Sequence, residues 1–203
     1  MMKKGYAPVV DSAINGSTRQ RTPLSSKSAW LGTQTAVSER AFLGKLTVRG
    51  RVEDPAFAGA VEQVVGGKLP TVPNTSTFAG TSIITWVGPD EWLIFTADGA
   101  EQKMVPALRE ALAGIHSAVV DVSDYYTVLR VTGNRARDVL AKGCPLDLHP
   151  SKFQTGNCAG SLYNKATIRL VQMDDTPTFD IMVRWSYAEY LWKHLVKAAE
   201  EWA

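Results

Sequence analysis

Ser82-Ile83-Ile84-Thr85-Trp86-Val87-Gly88-Pro89-Asp90-Glu91-Trp92-Leu93-Ile94-Phe95-Thr96 holds the pattern on which the reading of the fold turns. Residues 82–87 are β-branched and aromatic, as a strand demands. Gly88-Pro89-Asp90-Glu91 has turn chemistry: proline pre-sets its dihedral and aspartate bonds the local backbone. Residues 92–96 are apolar again and read as the returning strand, which closes a hairpin. Upstream, Leu46-Thr47-Val48-Arg49-Gly50 alternates with a period of two, the pattern of a half-buried strand. Asp54-Pro55 then offers a helix start, and a helix over 57–65 is stopped by Gly66-Gly67. Downstream, Met104, Leu108 and Leu112 recur at four-residue spacing, which predicts an amphipathic helix over 104–113 with Pro106 in its first turn.

The same order recurs in the second half. A short β-branched run at 118–122 opens it, and 127–132 alternates as a strand that ends at Gly133. Asn134 is placed to cap a helix through Lys142, with Gly143 stopping it. A second hairpin is predicted from strands over 167–173 and 179–185 around the turn Asp174-Asp175-Thr176-Pro177. Ser186 and Glu189 have capping-box spacing at the start of a last helix, expected to run to about Trp202. The fold class read from this is α+β: a strand–helix–hairpin–helix unit occurring twice, with mixed sheets and helices on one face. The expected division is an extended N-terminal tail over 1–40 and a single body over 41–203, made of repeats over about 41–114 and 115–203.

The tail is read from composition. Residues 1–40 are rich in Ser, Thr, Gly, Asn and Gln, and cannot offset their ordering entropy by burial alone. Such a segment is either solvated or held against something else, and Trp30 and Leu31 are its candidate anchors. Charge is split: residues 1–51 carry nine Lys/Arg against Asp11 and Glu39, while the remainder is acidic, and the whole has a net charge of +2. A basic arm raises the question of nucleic acid, but dense basic runs with interleaved aromatics are missing. No apolar run reaches the ~20 residues of a membrane helix. Two cysteines, Cys144 and Cys158, suit a reducing compartment, so a cytoplasmic protein is expected, with neither membrane nor nucleic acid as partner.

Chemistry-bearing residues are dispersed. Gly114, Gly133 and Gly143 make no phosphate-binding GxGxxG, and no GxSxG elbow occurs. His116, His149 and His194 stand apart from one another, and Cys144 and Cys158 lack CxxC spacing. Asp121, Asp124, Asp138 and Asp147 flank the second unit's first strand and helix; Asp174, Asp175 and Asp180 flank its hairpin. These carboxylates could supply a general base or an amine-binding group, but backbone and turn bonding are the stronger reading of them. Trp86, Trp92, Trp185, Tyr187, Tyr190, Trp192 and Trp202 divide between core packing and a protein interface. No catalytic, cofactor-binding or metal-binding residue is assigned.

Several strings together resemble the gamma subunit of heterotetrameric sarcosine oxidase. They are Gly88-Pro89-Asp90-Glu91-Trp92-Leu93, Val120-Asp121-Val122-Ser123, Leu129-Arg130-Val131-Thr132-Gly133 with Ala136-Arg137-Asp138-Val139-Leu140, Lys142-Gly143-Cys144-Pro145-Leu146-Asp147-Leu148-His149-Pro150, and Asp175-Thr176-Pro177-Thr178-Phe179-Asp180. More distantly, 121–185 is similar to the glycine-cleavage T-protein (aminomethyltransferase) family. Where that family carries a folate-handling Asp, this chain reads Arg184-Trp185-Ser186-Tyr187-Ala188-Glu189-Tyr190, with neither Asn nor Asp. The resemblance implies an aminomethyltransferase-like fold and a non-catalytic role in a complex that oxidises sarcosine to glycine. Hydrogen peroxide and formaldehyde, or methylene-tetrahydrofolate, would be its co-products. It also implies alpha and beta subunits that carry FAD, FMN and NAD and use tetrahydrofolate, plus a small delta subunit. The alternative left open is a free-standing folate-binding protein of the aminomethyltransferase type.

Overall fold

A computed structural model describes residues 21–203 throughout and, before them, only the backbone of the antiparallel pair β1 (Val10–Ser12) and β2 (Thr18–Gln20). The first half of the body contributes β5 (Gly44–Arg49), α1 (Pro55–Val65), β6 (Ser76–Ala79), β7 (Ser82–Gly88), β8 (Glu91–Thr96) and α2 (Glu101–Ala111). The second contributes β10 (Tyr126–Thr132), α3 (Ala136–Ala141), β11 (Cys158–Tyr163), β12 (Ala166–Asp174), β13 (Thr178–Arg184) and α4 (Ala188–Ala199). Three more strands lead into these halves: β3 (Trp30–Leu31), β4 (Ala36–Glu39) and β9 (Ala118–Asp121).

One sheet has the order β6-β7-β8-β5-β9, the other β11-β12-β13-β10-β4-β3. Over the first five positions the two orders agree, so each half builds a sheet of the same plan, with β3 added as a sixth strand in the second. Every pairing described is antiparallel, and the sheets are not mixed as expected.

The leading strands are exchanged. β9 precedes β10 in the chain but pairs with β5, Leu46 lying opposite Asp121. β4 precedes β5 but pairs with β10, Val131 lying opposite Val37. The run at 118–122, expected to open the second unit, therefore closes the first unit's sheet. Residues 30–39, assigned to the tail by composition, form the edge of the other sheet. Local sequence carries no mark of which sheet supplies a strand's hydrogen bonds.

Each sheet packs its helices on one face. Leu46, Val48, Ile84, Trp92 and Ile94 meet Phe57, Val61 and Val65 of α1 and Val105 and Leu108 of α2. The second core joins Leu129, Val131, Leu170, Phe179 and Ile181 to Val139 and Leu140 of α3 and Leu191 and Leu195 of α4. The opposite faces of the two sheets meet through Ile83, Leu93 and Phe95 on one side and Val128 and Met182 on the other. The body is thus layered helix–sheet–sheet–helix, with three apolar seams.

Local chemistry sets the element ends. Asp54 Oδ1 accepts the Ala56 N–H at 2.9 Å and Pro55 occupies the first helical position. Such a cap is worth about 1 kcal/mol. Phe57, Val61 and Val65 form the buried stripe, and full burial of Phe57 contributes about 2–3 kcal/mol. Gly66 ends α1 at φ +82°, its N–H donating to the Glu62 carbonyl at 2.8 Å. In the first hairpin, Gly88 pairs with Glu91 around Pro89-Asp90. Trp92, fully buried, donates Nε1–H to the Pro70 carbonyl at 2.8 Å. In the second hairpin, Asp174 pairs with Thr178 and its carboxylate accepts the Thr176 N–H at 3.0 Å.

Three terminal details differ from expectation. α2 begins at Glu101, a turn earlier, so Pro106 lies in its second turn, on the exposed side where water can take the carbonyl it leaves unpaired. Arg135, not Asn134, is the cap of α3, and no side chain bonds there. Ser186 and Glu189 form no capping box, because a 3₁₀ turn over Trp185–Tyr187 precedes α4. Glu189 instead pairs with Lys193 at 3.1 Å and Lys27 at 3.5 Å. No helix among the described residues is long and apolar enough to cross a membrane.

Candidate functional site

The short passages from β4 to β5 and from β9 to β10 cross between the sheets, and a cleft forms where they do. Phe42 and Leu43 line it from the first passage, Lys45 from the start of β5, and Ser123 and Asp124 from the second passage. Asp98 comes from the turn before α2 and Glu101 from its first residue, Tyr126 and Thr127 from β10, and Trp185 from the 3₁₀ turn after β13. Phe42 adopts φ +59°, a left-handed conformation that a bulky side chain takes only when the surroundings hold it there.

Lys45 is the unusual group of the cleft. It stands opposite Phe95 on the face turned toward the other sheet and is only 3% exposed. Its ammonium donates to the Leu43 carbonyl at 2.6 Å, and its backbone N–H donates to Ser123 Oγ at 2.9 Å. Burial pulls its pKa from 10.5 down to about 8, against the opposing pull of Asp124, Asp121, Glu101 and Glu39. Glu101 responds in the complementary way: burial raises its carboxyl above the ordinary range, with Asp121 and Asp98 adding to the rise. Its Oε2 is out of contact with solvent and has no hydrogen-bond partner among the described residues.

The carboxylates singled out in the sequence separate into distinct networks. Asp121 and Asp124 are brought together around Lys45, and Asp121 Oδ1 accepts from the Ser123 hydroxyl at 2.6 Å. Asp138 pairs with Arg135 at 3.1 Å, and Asp147 accepts the His149 N–H at 3.0 Å. Asp175 takes the Thr155 hydroxyl at 2.5 Å, within the turn region that also holds Asp174. Asp180 is buried, with Arg130 Nε at 2.7 Å and Arg40 Nη1 at 2.6 Å.

His149 faces Ser151, and His194 bonds the Tyr190 carbonyl while its ring lies 4.1 Å from that of Tyr190. His116 is exposed. Cys144 and Cys158 are buried free thiols, and burial raises the pKa of Cys158. Among the described residues no three His, Cys, Asp or Glu converge as a metal site. Lys45 and Glu101 were missed by the sequence reading. The signal for Lys45 was available, since the alternation of Leu46 and Val48 extends back two residues and sets Lys45 on the opposite, inter-sheet face. Nothing local marks Glu101.

The aromatics divide. Trp92 and Trp192 are core residues, while Trp30, Trp86, Trp185, Tyr190 and Trp202 are half-buried and Tyr187 is exposed. Trp30 packs on the second core and Leu31 beside it is 77% exposed. Leu31 belongs to a wider pattern: each edge strand of the two sheets carries an exposed apolar side chain. These are Phe78 on β6, Val120 on β9, Leu162 on β11 and Leu31 on β3. Open edges with apolar side chains are the surfaces through which sheets recruit other chains.

Comparison with known proteins agrees with this architecture. A curated sarcosine oxidase subunit gamma from Corynebacterium sp. (strain P-1) is 31% identical over 167 residues, 81% of this chain and 80% of that protein. The structure of the heterotetrameric sarcosine oxidase from Corynebacterium sp. U-96, in complex with pyrrole 2-carboxylate, contains a chain that superposes with TM-score 0.81 and 25% identity. The match covers 90% of this chain and 96% of that one. The aminomethyltransferase T of the glycine cleavage system from Bartonella henselae shares the fold at TM-score 0.59 and 15% identity, over 80% of this chain and 45% of that one. Residues 49–201 match the model of the sarcosine oxidase gamma subunit family, and the chain belongs to that family.

Proposed function

We propose that this chain is a non-catalytic, assembly-building subunit of a heterotetrameric sarcosine oxidase, a complex that oxidatively demethylates sarcosine to glycine. Its co-products would be hydrogen peroxide and formaldehyde, or methylene-tetrahydrofolate when the folate is present. The observation that carries the reading is the superposition on a chain of such a complex over 96% of that chain's length. Larger alpha and beta subunits, with a small delta subunit, would be its partners and would hold FAD, FMN, NAD and the folate. No redox group is assigned to this chain. The exposed apolar residues on the sheet edges supply contact surface of the right kind, since an unpaired edge and an apolar side chain are both satisfied by docking.

Co-expression with the larger subunits of a sarcosine oxidase tests this. The expected product is a yellow complex that contains the chain, while the chain alone is colourless. A stable monomer that never co-purifies with a flavoprotein would overturn the reading. Saturable tetrahydrofolate binding by the isolated chain, lost on changing Asp121 or Asp147, would favour the free-standing folate-binding alternative.

A further inference from the structure

We propose that the open edge of β11 takes an added strand from a larger subunit of the assembly: an extended acidic segment whose carboxylate meets Arg169 and whose apolar side chain two residues away meets Leu162. The inference rests on the assembly reading given above. Backbone bonding defines the edge. Gln172 donates its N–H to the Asn157 carbonyl at 3.0 Å, so residue 157 faces β12. Cys158 donates its own N–H the other way, to the Asn74 carbonyl at 2.9 Å. Strand residues alternate in direction, so Gly160 and Leu162 also turn their N–H and C=O groups outward. Asn164, the next outward position, donates to the Gly143 carbonyl at 2.8 Å. Among the described residues nothing pairs with the groups between, and Gly160 and Leu162 are both exposed. The other edges offer less. β3 has two residues, β6 spends the Ser76 N–H on the Gly156 carbonyl, and Arg109 donates to the Val119 carbonyl of β9.

The side chains around this window select the occupant. Leu162 lies opposite Thr167 and Gly160 opposite Arg169, so Leu162 and Arg169 share one face of the sheet. Arg169 Nη2 stands 3.8 Å from where a Cβ on Gly160 would be, so the missing side chain lets the guanidinium lie across the edge strand. Arg169 is half-buried and makes no ion pair or hydrogen bond among the described residues. Residues 148–173 hold Lys152, Lys165 and Arg169 and no Asp or Glu, and Lys165 is exposed in the turn between β11 and β12. A carboxylate on the added strand therefore meets a free guanidinium fork in a positive surround. A basic segment would be repelled there, and an uncharged one would cover the guanidinium without pairing it. Strand addition of this kind takes its affinity from main-chain bonds and its register from alternate side chains.

The chain is co-expressed with the larger subunits of a sarcosine oxidase, and amide hydrogen exchange is read residue by residue in the free chain and in the complex. Assembly should slow exchange at Gly160 and Leu162 by about tenfold or more, as new strand bonds require. Arg169→Glu should lower the affinity for the larger subunits by about tenfold or more. Thermal unfolding verifies that the variant folds; if it does not, exchange in the parent decides alone. A complex in which Gly160 and Leu162 exchange as they do in the free chain overturns this proposal and leaves the assembly reading standing. So does a folded Arg169→Glu variant that assembles like the parent. A chain that joins no larger subunit overturns the assembly reading, and this proposal with it.

Discussion

Arg40 and Asp180, 140 positions apart in the chain, meet at 2.6 Å between Nη1 and Oδ2. Arg40 follows β4, the strand that composition alone assigns to the tail. Asp180 lies in the middle of β13 and is also held by Arg130, whose Nε and Nη2 donate to its two oxygens at 2.7 and 3.0 Å. The three side chains fasten the N-terminal edge of the second sheet across β10 to its centre.

Loss of the carboxylate should therefore cost more than loss of either arginine. Asp180→Ala leaves two guanidinium groups without their buried counter-charge and is expected to destabilise the chain by about 3–5 kcal/mol. Arg40→Ala leaves the two-point Arg130 pair intact and should cost about 2 kcal/mol. Urea midpoints at unchanged slope measure both. Equal losses in the two variants would show that Arg130 does not hold Asp180 as described.

Gly133 joins the same two parts of the chain through its backbone. It adopts φ +108°, and a Cβ there would overlap the carbonyl of Gln34 and crowd Thr35. Gly133→Ala should cost about 1–3 kcal/mol from the dihedral strain alone, and more from the displaced 34–35 segment. Gly66→Ala, at φ +82° in open space, isolates the dihedral cost. If both substitutions cost the same, the close approach at residue 34 contributes nothing.

Lys45 should make stability depend on alkaline pH. Its folded pKa of about 8 lies below the ordinary 10.5, so below about 8 both folded and unfolded states carry the charge and the folded chain bears the full desolvation penalty. Between about 8 and 10.5 the unfolded chain binds more protons, and stability rises with pH. At about 1.4 kcal/mol per unit the relief is on the order of 3 kcal/mol. Urea unfolding across this range should show the rise in the parent and a flatter profile in Lys45→Met. Parallel profiles would mean that Lys45 is not the titrating group.

Much of the local structure was legible in the residues. Asp54-Pro55 and Gly66 bracket α1, the two hairpins turn on Pro89-Asp90 and on Asp174 to Thr178, and Leu191 and Leu195 lie on the buried face of α4. Each of these depends on neighbours within a few positions, and side-chain chemistry reports such neighbours directly. Capping failed where a competing contact intervened, as when Glu189 turned to Lys27 and Lys193 rather than to the helix start.

By itself, then, the amino-acid sequence determined two antiparallel hairpin units with their helices, and through its quoted strings the family. Only the tertiary structure decided that β4 and β9 trade sheets, that Asp180 gathers Arg40 and Arg130, and that Lys45 and Glu101 share a cleft. The reason is physical. A pattern of apolar side chains specifies which face of an element leaves water, but backbone groups are the same in every residue except proline, so the strand that receives their hydrogen bonds is chosen by how the whole chain packs.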